Sequence, residues 1–111
     1  MNEDGNDRLT PHKALAADAK SADGEYAVLL RHGSMELGYF KPAGIDTQQP
    51  HDQDEIYIVQ TGSGTFTRGD EQIPCSAGDA LFVAAGVKHR FVNFTDDFAT
   101  WVVFYGPQGD E

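Results

Sequence analysis

From position 26 to position 105 the chain is interrupted every few residues by breaks rich in glycine, proline, serine or aspartate. That punctuation constrains its fold more than any other feature. The segments between breaks are short, apolar or alternating: 26–31, 35–41, 54–60, 64–68, 80–83, 89–94 and 99–105. Runs of this length, bounded by turn residues, read as strands. Seven or more in succession read as an antiparallel sandwich or barrel. No helical segment separates them, which removes a parallel α/β fold. Ahead of the runs, Thr10 supplies a helix cap and Pro11 suits the first helical position. Ala14, Leu15, Ala16, Ala17 and Ala19 favour the helix, and Gly24 is its expected stop. The expected organisation is a tail and short helix over 1–25, a β-barrel over 26–106 and a flexible tail over 107–111. Residues 1–8 are expected to be disordered. A chain of 111 residues holds one such core and not two.

Charge narrows the function classes. A net charge of −10 opposes nucleic-acid binding, which needs clustered Lys and Arg to neutralise phosphate. No apolar run is long enough to cross a membrane as a helix, and the acidic first residues are unlike a secretory signal. Cys75 is the single cysteine, so no intrachain disulfide forms, and a reducing, cytoplasmic setting is expected. Nothing near Cys75 in sequence would lower its pKa, so it is not read as a catalytic thiol.

The residues that carry chemistry are histidines and a glutamate. In an extended strand side chains alternate faces, which would put Gln49, His51, Gln53 and Glu55 together. That row makes a poor hydrophobic core and a sensible ligand set. His89 starts a distant strand and meets the row only if the two strands are close inside a closed sheet. Taken singly, each histidine also fits a plain hydrogen-bonded role. His32 reads as a turn residue and His12 as a solvated helix residue. Arg31 either projects inward, where its guanidinium would grip an anionic substrate, or lies on the surface. By alternation Tyr57 shares the face of His51 and Glu55, and Phe91 that of His89. These two are the expected substrate-pocket wall.

The spacing of these residues resembles the cupin superfamily. Its first motif is matched by Gly44, Gln49, His51, Glu55 and Gly62, with three residues between His51 and Glu55 and six between Glu55 and Gly62. Its second motif is matched by Gly78, Ala84, Gly86, His89 and Asn93, with every spacing kept. Three departures stand out: Gln49 replaces the first histidine, Ala84 replaces a proline, and the interval after Gly44 is one residue short. The resemblance implies a single antiparallel jelly-roll β-barrel. It implies a divalent metal (Fe, Mn, Ni or Zn) held by His51, Glu55 and His89. Gln49 would be either a fourth ligand or a hydrogen-bond partner of the ligands. Two imidazoles and one carboxylate with open positions suit non-haem iron among other metals. The implied function is a metal-dependent enzyme on a small organic molecule: dioxygenase-like, isomerase or decarboxylase. The alternative is a non-catalytic binding or sensing module whose metal is structural or absent. Cupins of this size commonly pair, so a homodimer is expected.

Overall fold

The computed structural model describes residues 8–19, 25–46 and 48–107. One helix, α1 (Pro11–Ala19), precedes eight strands: β1 (Tyr26–His32), β2 (Met35–Phe40), β3 (Asp54–Thr61), β4 (Ser63–Arg68), β5 (Glu71–Ser76), β6 (Ala80–Val83), β7 (His89–Val92) and β8 (Ala99–Tyr105). The strands form two antiparallel sheets, ordered β1-β2-β8-β3-β6 and β5-β4-β7. Among the described residues no ladder joins the sheets, so the jelly roll is held together mainly by what packs between them. The helix begins as its sequence dictates: Thr10 Oγ1 accepts the Lys13 amide at 3.2 Å. The expected stop at Gly24, and most of the two expected tails, lie outside the described residues.

Alternation along the strands decides what is inside. In β3, Glu55, Tyr57 and Val59 are buried, whereas Ile58 between the last two is exposed. In β6, Leu81 and Val83 turn inward and Phe82 outward. The core therefore draws Phe40, Tyr57, Val59, Leu81, Val83 and Val102 from one sheet and Phe66, Cys75 and Phe91 from the other, joined by Phe98. Phe91 is its hub: its ring lies 4.9 Å from Phe66, 4.8 Å from Phe98 and 5.0 Å from Tyr57. Each large ring buried this way contributes about 1.5–3 kcal/mol relative to exposure. Helix α1 covers part of the outer face of the larger sheet, where Ala14 packs with Tyr39, Ala99 and Trp101.

One strand was not expected. The segment Glu71–Ser76 forms β5, paired to β4 from Ser63↔Ser76 to Arg68↔Glu71. Its Pro74 lacks an N–H and so argues against a central strand. It is tolerated because β5 is an edge with a partner on one side only.

Two motif glycines have separate reasons for being glycine. Gly62 has φ +80°, and a Cβ there would lie 2.8 Å from the Phe98 Cα. It needs both the left-handed conformation and the close approach. Gly86 has φ +81° but open space around it, so only its turn demands glycine. Asn93, the last motif residue, also takes a left-handed φ, 51°, a conformation asparagine tolerates better than most residues.

Candidate metal centre

The strand that carries Val59 into the core carries Glu55 to the other end of the same face. Strand β7 repeats the arrangement, with Phe91 in the core and His89 two residues earlier. The two side chains meet with His89 Nε2 2.9 Å from Glu55 Oε1, and both are almost wholly buried. His51 comes from the loop before β3. Its Nε2 lies 3.9 Å from Glu55 Oε1, and a third of its side chain is exposed. That loop is pinned by the second motif. Gly86 N donates to the His51 carbonyl at 2.8 Å, and Ala85 N donates to Asp54 Oδ1 at 2.8 Å. The turn leading into His89 thus fixes the backbone bearing His51. One candidate ligand atom from each of His51, Glu55 and His89 lies within 4.8 Å of the other two.

Beside these groups is a cavity of roughly 230 Å³, lined by Tyr26, Phe40, Gln48, His51, Tyr57 and Phe104 among others. Among the described residues its lining holds the carboxylates of Glu25 and Asp46 and no lysine or arginine. Glu55 and His89 sit behind His51 and Tyr57, so His51 is the ligand candidate that faces the cavity.

Residues 36–105 match the family model described as a cupin domain. The chain belongs to the cupin family. An uncharacterised protein of Streptomyces coelicolor is 38% identical to this cupin over 96 residues, covering 85% of this chain and 91% of that one. A cupin 2 conserved barrel domain protein from Salinispora arenicola superposes with a TM-score of 0.65 at 23% identity, over 89% of this chain and 87% of that one. A candidate mannose-6-phosphate isomerase from Ralstonia eutropha superposes at 0.63 with 21% identity, over 74% of this chain and 83% of that one. At such identities these two structures establish the fold alone.

The donor chemistry of this cupin fits a divalent cation. His89 Nδ1 lies 2.8 Å from the Val87 carbonyl, an acceptor only, so Nδ1 carries the hydrogen. A neutral His89 then turns the lone pair of Nε2 toward a carboxylate oxygen 2.9 Å away. Neither Glu55 oxygen, both buried, has a well-directed hydrogen-bond donor among the described residues. Two lone pairs at that separation repel unless a proton or a cation lies between them. The separation is also what one ion requires, since adjacent donors on bonds of about 2.1 Å stand roughly 3 Å apart. Without a cation a proton takes the place. Burial opposes charging His89, but the Glu55 carboxylate, the Val87 carbonyl and Asp46 outweigh it and raise its pKa. Tyr57, 3.0 Å from His89 Nε2, is pushed well above the usual phenol range by burial and then by Glu55. It stays a neutral hydroxyl.

The remaining expected residues divide. Tyr57 lines the cavity, whereas Phe91 lies behind it in the core and does not. Arg31 points outside: its side chain is 69% exposed, and its Nε pairs with Glu36 at 3.0 Å. Gln49 is exposed, and its neighbour Gln48 is the glutamine that lines the cavity. The expectation for Gln49 assumed one continuous strand from 49 to 55. Strand β3 starts only at Asp54, so alternation does not govern the preceding loop. Asp46, buried and beside the site, went unnoticed in the sequence. The signal available for it was weak: an aspartate two residues before a polar residue, the pattern of a local side-chain turn.

Proposed function

We propose that this cupin is a metal-dependent enzyme acting on a small organic molecule. His51, Glu55 and His89 would hold a divalent transition metal, and the cavity beside His51 would take the substrate. The observation that carries this reading is the buried Glu55 carboxylate 2.9 Å from His89 Nε2, a pair whose facing lone pairs call for a proton or a cation between them. A bound cation fills that place without charging the buried imidazole, whereas leaving it empty costs about 1–3 kcal/mol or more. When bound, the metal supplies Lewis acidity or a binding position for oxygen. The chain's own part is to wall the site with Phe40, Tyr57 and Phe104, and to keep Tyr57 protonated as a hydrogen-bond donor.

The lining also bears on the substrate. With two carboxylates and no lysine or arginine among its described lining residues, the cavity opposes phosphorylated sugars and multiply charged acids, unless the anion binds the metal itself. Its volume is that of about eight waters at ~30 Å³ each. A small neutral molecule with metal-binding oxygens, such as a phenol, a diketone or an unphosphorylated sugar derivative, fits best. The two-His, one-carboxylate set supports oxygenase chemistry. Ile58 and Phe82, 43% and 45% exposed on the outer face of the larger sheet, support a homodimer. The single buried thiol, Cys75, is compatible with a cytoplasmic setting.

Elemental analysis of protein purified without chelators tests the metal. One Fe, Mn, Ni or Zn per chain is expected, and its loss in His51→Ala. A wild type that neither carries nor takes up any of the four overturns the reading. With metal bound, oxygen uptake or product formation is expected with at least one phenol, diketone or sugar. A flat screen favours a non-catalytic binding module.

A further inference from the structure

The structure assigns Gln48, held in one orientation by the buried Asp46, as the amide-oxygen donor that completes the metal site. This inference rests on the metal-binding reading above. Asp46 is 2% exposed, and its carboxylate accepts the Phe91 amide at 2.8 Å, the Gln48 amide at 3.0 Å and Gln48 Nε2 at 2.7 Å. A carboxylate only accepts, so the side of the Gln48 amide facing Asp46 must be its NH₂ group. The oxygen is thereby forced to the opposite side, toward the site. There Gln48 Oε1 lies 3.2 Å from His51 Nε2 and accepts the Tyr57 hydroxyl at 2.9 Å. An amide oxygen has two lone pairs. Tyr57 engages one and leaves the other for a cation shared with His51. The 3.2 Å separation is again that of neighbouring donors on one ion with bonds near 2.1 Å, roughly 3–3.4 Å.

Gln49, the residue at the motif position, is exposed and does not line the cavity. Asp46 is a positioning residue, acting on the metal through Gln48. Its bond to the Phe91 amide ties the orientation of that amide to strand β7, the strand that bears His89. Positioning groups of this kind typically change metal affinity 10–100-fold.

The test is titration of chelator-stripped protein with Co(II), read by affinity and by the visible d–d absorption, which reports the donor set without substrate. Gln48→Leu keeps the volume and removes the oxygen. It is expected to weaken Co(II) binding at least tenfold and to alter the spectrum, while Gln49→Leu stays within twofold of wild type. Asp46→Asn is expected to weaken binding by a similar factor. Because Asp46 also holds the Phe91 amide, its circular dichroism melt is recorded alongside, and the Gln48 and Gln49 pair decides the matter if that variant unfolds. Wild-type affinity and spectrum in Gln48→Leu, with binding abolished in His51→Ala, overturn the role of Gln48 and leave the metal site standing. A wild type that binds no Co(II), nor Fe, Mn, Ni or Zn, overturns both.

Discussion

Strands β3 and β7 each run from a polar end to an apolar end of the same interior, and the two ends obey opposite rules. At the apolar end, Val59, Phe66, Phe91 and Phe98 fill space with rings and methyl groups around the Cys75 thiol, whose pKa burial raises. At the polar end, Glu55 and His89 are as deeply buried, yet they face each other 2.9 Å apart across a place that a proton or a cation must fill, and the cavity lies alongside. The step from one end to the other is two residues of strand from His89 to Phe91, and four from Glu55 through Tyr57 to Val59. One end stores stability. The other spends it on a set of aligned lone pairs.

Truncation at the apolar end is expected to have the largest effect. Phe91→Ala removes the ring that touches Phe66, Phe98 and Tyr57, and should cost about 3–5 kcal/mol in urea unfolding. A loss under 1 kcal/mol would mean the two ends do not differ as described.

Glu55→Gln, at the polar end, is expected to do the reverse in metal-free protein. It removes a buried charge, and His89 can answer by giving up its Nε2 proton, with Nδ1–H kept on the Val87 carbonyl. No orphan charge is left behind, which is what makes breaking most buried ion pairs expensive. The variant should match or exceed wild-type stability by up to about 2 kcal/mol, while Co(II) binding is lost. A destabilised variant would make Glu55 a structural residue.

The smallest effect concerns tyrosines flanking the two regions. Burial, reinforced by Glu36, raises the pKa of Tyr26, and burial, reinforced by Asp18, raises that of Tyr39. A phenol whose pKa is higher folded than unfolded contributes stability that is intact below the unfolded value, about 10. That contribution is lost as pH rises beyond it toward the folded value. Unfolding free energy should therefore decline above about pH 10, and Tyr26→Phe should lessen the decline. A pH-independent stability between 9 and 11.5 in urea titrations would contradict the shift.

What could be read from the sequence follows from how local its cause is. Turn residues act over two or three positions, so the strands at Tyr26, Met35, Asp54 and Ala99 were legible at their starts. His51, Glu55 and His89 were legible because fixed intervals between glycine turns hold them in register with one another. Strand β5 was hidden by Pro74, whose missing N–H matters only if the strand has partners on both sides, and pairing is not local. Gln48 and Asp46 were hidden for a related reason. They lie in the loop before β3, where no period applies, and the Phe91 amide that anchors Asp46 is 45 residues away. Arg31 had two readings, and only its partner Glu36, across the β1–β2 ladder, separates them.

Pro74 has one more effect. Strand β5 borders the smaller sheet, and a bare border is where a stray extended peptide adds itself and seeds fibrils. A proline at that border removes one of the backbone donors a newcomer would need, and it is itself solvent-exposed. The irregularity that obscured the strand thus works as a guard against aggregation. Copies of this chain that meet in solution are steered away from that rim.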